Sequence, residues 1–131
     1  MSSVLAVDVG GTNIKCALFD RNLEILESRT LETPPHDVTG KSVISAITTL
    51  TDELRKFHEI KSIGLAVPGT LDEPAGITRW AGNLGWKNIP VVSMLQESVG
   101  LPIAFKHDVR TGALAELRKG AMQGYTNGIF L

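Results

Sequence analysis

The chain has 131 residues, 43% of them hydrophobic, and a formal net charge of −1. This is about one domain with enough apolar mass for a core, and so even a charge balance gives no electrostatic reason to expect nucleic-acid or membrane-surface binding. One cysteine excludes an internal disulfide framework, Met1-Ser2-Ser3 lacks the basic start of a secretory signal, and no apolar run nears the ~20 residues that span a bilayer, so a soluble, cytoplasmic chain is expected.

Residues 4–20 read as an apolar strand, a tight Gly10-Gly11-Thr12-Asn13 turn and a returning strand, since paired glycines between strand-formers signal a hairpin. A third, mostly polar strand over 24–31 suits a sheet edge. Thr33-Pro34-Pro35-His36-Asp37 is a loop, because prolines remove donors and turn the preceding residue away from helix. Val43, Ile44, Ile47, Leu50, Leu54 and Phe57 then recur at helical spacing, with Asp37 or Thr39 available as caps. The apolar run 62–67 predicts a buried parallel strand stopping at Pro68-Gly69.

Residues 70–88, rich in Gly, Pro, Trp and Asn, predict a long loop with one short strand around 76–80, and a loop of that length is usually functional or mobile. A second helix spans 90–99 and ends at Gly100. A strand over 102–106 leads through His107-Asp108 into a third helix over 109–119, and residues 129–131 begin a further strand. The order β-β-β-α-β-α-β-α predicts an α/β fold in which three meandering strands are extended by parallel ones. Binding in such a mixed sheet belongs at the carboxyl ends of the parallel strands, where Pro68-Gly69 and His107-Asp108 fall.

Several residues exceed what the fold needs. Asp8 is an ionisable group in a run of Val, Leu and Ala beside the turn. The Gly10-Gly11-Thr12 backbone donors and the Thr12 hydroxyl can converge on a phosphate, with Asp8 holding hydrated Mg²⁺; equally, Asp8 can cap a plain hairpin. Asp108, at a strand-to-helix junction, can take a proton from a hydroxyl attacking phosphorus, or serve only as a helix N-cap. His107 can bind a sugar hydroxyl or be structural. Pro68-Gly69 allows close backbone approach to a ligand or simply ends a strand. Asn83-Leu84-Gly85-Trp86 sets an amide beside an aromatic, suited to hydroxyl-rich ligands, or marks a loop anchored by a buried Trp. Glu116 fits a solvated helix face, and Cys16 a small core residue. Three scattered histidines and one cysteine form no metal-ligand cluster.

Together these pieces resemble the amino-terminal lobe of the ROK family (repressors, open-reading-frame products, sugar kinases). The matching stretches are Asp8-Val9-Gly10-Gly11-Thr12, Gly64-Leu65-Ala66-Val67-Pro68-Gly69, Asn83-Leu84-Gly85-Trp86 and Leu101-Pro102-Ile103-Ala104-Phe105-Lys106-His107-Asp108, followed by Ala113-Leu114-Ala115-Glu116 and Gly120. They keep family order over nearly the whole chain. The resemblance implies an actin-like, ribonuclease-H-like ATPase lobe over 1–120, with 121–131 opening a truncated second lobe. It implies ATP-dependent phosphorylation of a hexose or N-acetylhexosamine. By the same resemblance Asp8 positions Mg²⁺, Gly10, Gly11 and Thr12 face ATP phosphates, Gly69, Asn83 and His107 line the sugar, and Asp108 is the general base.

Two departures stand out. The family usually carries Asn where His107 stands, and often Lys where Asn13 stands. The family's adenosine-binding segment, sugar-contacting Glu and His, and His/Cys motif for a structural Zn²⁺ all belong to the second lobe, so the 131-residue chain alone is expected to be inactive. A severed lobe exposes apolar surface and can form homo-oligomers. A sugar-sensing transcriptional regulator of the same family is the alternative; its helix-turn-helix has no space in the seven residues before Asp8. An actin-like interaction protein is a third reading, and the Asn83 loop and His107-Asp108 speak for a sugar site instead.

Overall fold

The computed structural model describes residues 2–107, for His107 the backbone alone. Strand β1 (Ser2–Val9) alternates strictly: Leu5, Val7 and Val9 are buried while Val4 and Asp8 are exposed. Strand β2 (Asn13–Phe19) returns antiparallel, setting Cys16 against Val7 and Ile14 against Val9. The expected hairpin is there, with Gly11 and Thr12 at its tip and the Gly10 N–H donating to the Asn13 carbonyl at 2.9 Å. Strand β3 (Ile25–Glu32) pairs with β2 and lies at the sheet edge, as its polar composition requires. Its Glu27–Arg29 pair puts charge on that edge, which discourages pairing with another chain.

Helix α1 (Lys41–Arg55) crosses to β4 (Glu59–Val67), which runs parallel to β1. Val43, Ile44, Ile47, Leu50 and Leu54 are buried as their spacing predicts. Phe57 is not: it is 81% exposed, because the helix has ended before it and helical periodicity no longer carries it inward.

The 70–88 region departs from expectation. The long loop is instead a second, antiparallel sheet of β5 (Thr70–Asp72), β6 (Ile77–Ala81) and β7 (Trp86–Ile89), with a single 3₁₀ turn (Gly82–Leu84) before β7. The predicted order therefore gains three strands between β4 and helix α2 (Val91–Val99), of which only the one around 76–80 was expected, and α2 ends at Gly100 as expected. Strand β8 (Ile103–His107) then adds parallel to β4 and completes a five-stranded sheet ordered β3-β2-β1-β4-β8. The predicted third helix and the start of a further strand lie outside the described residues. Among those described, no helix is long and apolar enough to cross a membrane.

One face of the main sheet, built from Leu5, Val7, Ile14, Leu18, Ile63, Leu65 and Phe105, forms a single core with α1 and α2. Each such fully buried aliphatic side chain contributes roughly 1.5–3 kcal/mol relative to exposure. Leu84, Trp86 and Ile89 join this core from the small sheet and fix it to the main one.

The start of α1 is secured from outside the helix. Its N-cap, Gly40, has no side chain to offer, but the Asp37 carboxylate accepts from the Ser42 N–H at 3.0 Å, and Thr39 Oγ1 accepts from the Lys41 N–H at 3.2 Å. Both residues anticipated as caps thus serve helix donors that would otherwise lack partners. Hydrogen bonds from the Thr39 hydroxyl and N–H, then from Ser42, lower the Asp37 carboxyl to about 2. A carboxylate depressed in the folded state stabilises it fully above the unfolded value near 4, and the contribution is lost as pH falls toward 2. Asp37→Asn should therefore have a lower urea midpoint than wild type at pH 6, with the gap closing between about pH 4 and pH 2. A gap independent of pH would refute the assignment.

Candidate functional site

Parallel pairing decides where the candidate residues meet. Asp8 on β1 is in register with Ala66 on β4, and Ala66 with Lys106 on β8. The three form one row across adjacent parallel strands, about 10 Å from first to last at ordinary strand spacing. Beyond that row, on the same edge, come the Gly10–Thr12 turn, Pro68-Gly69 and the end of β8 at His107. Asp108, the next residue, and Glu116 lie outside the described residues. Lys106 also holds Glu73 at 3.3 Å, tying β8 to the turn after β5.

The turn leaves donors to spare. The Gly10 N–H is used in closing the hairpin. Among the described residues the Gly11 and Thr12 N–H groups and the Thr12 hydroxyl have no hydrogen-bond partner, so all three suit an anionic ligand. Asp8 is exposed, with Lys15 opposite it across the hairpin. Its charge reaches inward: burial first, then the Asp8 carboxylate, push the Cys16 thiol up to about 11. Cys16 is therefore an un-ionised core residue near neutral pH, as its place in the strand suggested.

Residues far apart in sequence converge on this turn. A Cβ at Gly11 would lie 3.1 Å from Asn83 Cβ and 3.2 Å from Asn83 Nδ2, so only glycine lets the two turns touch without displacement. Gly69 has φ +94°, and a Cβ there would stand 2.1 Å from the Trp80 carbonyl oxygen. Gly69 thus abuts the end of β6, two residues before the Asn83 turn. Trp86 is buried, its ring packed beneath Gly40 at the start of α1, so it anchors this loop as well as neighbouring Asn83.

Two residues at the site had no assigned role in the sequence. Thr33 Oγ1 donates to the Gly10 carbonyl at 2.7 Å and the Thr33 N–H to the Thr12 carbonyl at 2.8 Å. His36 Nε2 lies 2.9 Å from the Asn83 carbonyl oxygen. Thr33 and His36 fall in the proline loop, whose only sequence signal was rigidity.

With this arrangement in view, likeness to known proteins is informative. The ROK family model matches residues 4–131. The chain belongs to the ROK family. It is 28% identical over 129 residues to a glucokinase of Streptomyces coelicolor, covering 98% of this chain and 40% of that one. It is 34% identical over 115 residues to an N-acetylmannosamine kinase of Salmonella arizonae, covering 87% of this chain and 38% of that one. Its fold matches a ROK family glucokinase from Streptomyces griseus, solved with glucose and AMPPNP, at TM-score 0.85 and 28% identity over 93% of this ROK chain and 38% of the other. The chain thus spans about 40% of the length of the curated relatives it matches.

Proposed function

We propose that this ROK chain is the amino-terminal lobe, residues 1–120, of a cytoplasmic ATP-dependent kinase acting on a hydroxyl of a hexose or N-acetylhexosamine, with 121–131 opening the second lobe. The observation that carries the reading is the contact between the Gly10–Thr12 turn and the Asn83 turn at one edge of the parallel strands. A phosphate donor at the first turn and a hydroxyl-rich acceptor at the second would lie side by side, as transfer between them requires.

In this reading the Gly11 and Thr12 N–H groups and the Thr12 hydroxyl bind terminal phosphates of ATP. Asp8, exposed at the strand end, holds Mg²⁺ through its water shell; when bound, that ion supplies charge neutralisation at the phosphates. Gly69, Asn83 and His107 line the sugar, and Asp108 accepts the proton of the attacking hydroxyl. His107 is bulkier than the family's usual Asn, a difference that bears on which sugar is accepted. The second lobe closes over adenosine and carries the structural Zn²⁺, so the 131-residue chain by itself has little or no turnover.

The test is a panel of hexoses and N-acetylhexosamines incubated with MgATP and the intact kinase, read as sugar phosphate by mass spectrometry. One or two sugars should gain a phosphoryl group. Sugar-dependent thermal stabilisation without any sugar phosphate would refute the kinase reading in favour of a sugar-sensing regulator, and robust turnover by the 131-residue chain would refute the lobe assignment.

A further inference from the structure

The segment Thr33-Pro34-Pro35-His36-Asp37 touches both turns of the site and is fixed at each end. At its start Thr33 holds the phosphate-side turn by two hydrogen bonds, to the Gly10 and Thr12 carbonyls. Three residues on, His36 Nε2 meets the Asn83 carbonyl, and because a carbonyl only accepts, this nitrogen carries the proton and donates. The His36 ring also packs against Gly85, where an added Cβ would lie 3.6 Å from His36 Cβ. At its far end Asp37 is bound to the first turn of α1. Between these anchors stand two prolines, whose fixed φ keeps the span from stretching or shortening.

The geometry points to this segment as a brace that sets the separation of the Gly10–Thr12 turn from the Asn83 turn, with Thr33 and His36 as its positioning residues. The inference rests on the kinase reading, in which those turns hold phosphate donor and sugar acceptor. Neither residue touches a reacting group. Each acts on one turn through a backbone carbonyl, so each governs the placing of one substrate. Thr33 steadies the turn that faces ATP. His36 steadies the turn whose Asn83 side chain faces the sugar. A Cβ at Gly11 would lie 3.1 Å from Asn83 Cβ, so the two turns are close neighbours, and a shift at either anchor bears first on the substrate that its own turn holds.

The test uses the intact kinase with separate titrations of sugar and MgATP. His36→Ala should raise the sugar KM about fivefold to tenfold, the loss of roughly one hydrogen bond's worth of placement, with the nucleotide KM within twofold. His36→Gln, whose amide N–H reaches the same carbonyl, should return the sugar KM to within about threefold of wild type. Thr33→Val, which keeps the side-chain shape and removes only the hydroxyl, should raise the nucleotide KM about fivefold and spare the sugar KM. His36 is exposed, so its variants are expected to fold normally. A fall in melting temperature with both KM values unchanged overturns the brace. So does a parallel rise of both KM values in each variant, or a Gln variant no better than Ala. A wild-type enzyme that phosphorylates no sugar overturns the brace together with the kinase reading, whereas wild-type turnover with unresponsive variants overturns the brace alone.

Discussion

Gly69→Ala should destabilise the lobe by roughly 3 kcal/mol or more and abolish measurable sugar binding. Two costs add at this position. The backbone φ of +94° is one that side chains with a Cβ rarely adopt. The new methyl would also lie 2.1 Å from the Trp80 carbonyl oxygen and 3.0 Å from Ala81 Cα, and both are backbone atoms of a paired strand that cannot rotate aside. Relief requires the β4–β5 turn and the end of β6 to move apart. Displacement of the β6 end shifts the Asn83 turn, since only Gly82 separates Ala81 from Asn83. Urea unfolding of the variant gives the stability change, and equilibrium dialysis with the accepted sugar gives the binding change. A variant of wild-type stability would mean that the close approach does not exist in solution.

Asp108→Asn should cut turnover of the intact kinase about 10³-fold while the sugar KM moves less than threefold. The prediction rests on the proposed base role. Asn keeps the size and the hydrogen-bonding oxygen of Asp but cannot take the proton released as the sugar oxygen attacks phosphorus, and a positioned base is worth about 10²–10⁴ in rate. The described strands give this role its setting. Asp108 follows the last residue of β8, His107, which is in register with Val67, one position beyond the row of Asp8, Ala66 and Lys106. Equal losses of affinity and turnover would make Asp108 a ligand or a helix cap instead.

The sequence was most legible where one physical rule acted alone. Alternation set β1 and β2, helical spacing set α1 up to Leu54, and the unbroken apolar run set the interior of β4. It was least legible where tertiary pairing overrode local pattern. β5 to β7 are three to five residues long, and the register slips between Thr70 and Leu71, so no run is long enough to show a period of two. β4 begins at Glu59 rather than Ser62 because pairing with β1 recruits polar residues that no hydrophobic signal marks. Phe57 departs from its pattern for the opposite reason: its spacing is helical, but the helix stops before it.

The candidate site divides along the same line. Asp8 and the paired glycines could be picked out because a carboxylate in an apolar strand and a small-residue turn are unusual in themselves. Thr33 and His36 could not, since their partners are backbone carbonyls 23 and 47 residues away, and a carbonyl has no residue-type signature. Nor could the approach of Gly11 to Asn83, which depends on where the tertiary fold sets the turn between β6 and β7.

That small sheet has a consequence for how the protein can diversify. The chain leaves the main sheet at the end of β4, makes β5, β6 and β7, and returns directly into α2, so residues 70–89 form an excursion and not a rung of the core ladder. Its hold on the core is concentrated in Ala81, Leu84, Trp86 and Ile89. With those four kept, turns and exposed strand positions can be exchanged, lengthened or shortened without re-threading a single main-sheet strand. Drift can therefore explore new surfaces beside Asn83 at small cost to folding, and on the proposed reading, which sets the sugar beside Asn83, these twenty residues can vary the acceptor while the main sheet is inherited unchanged.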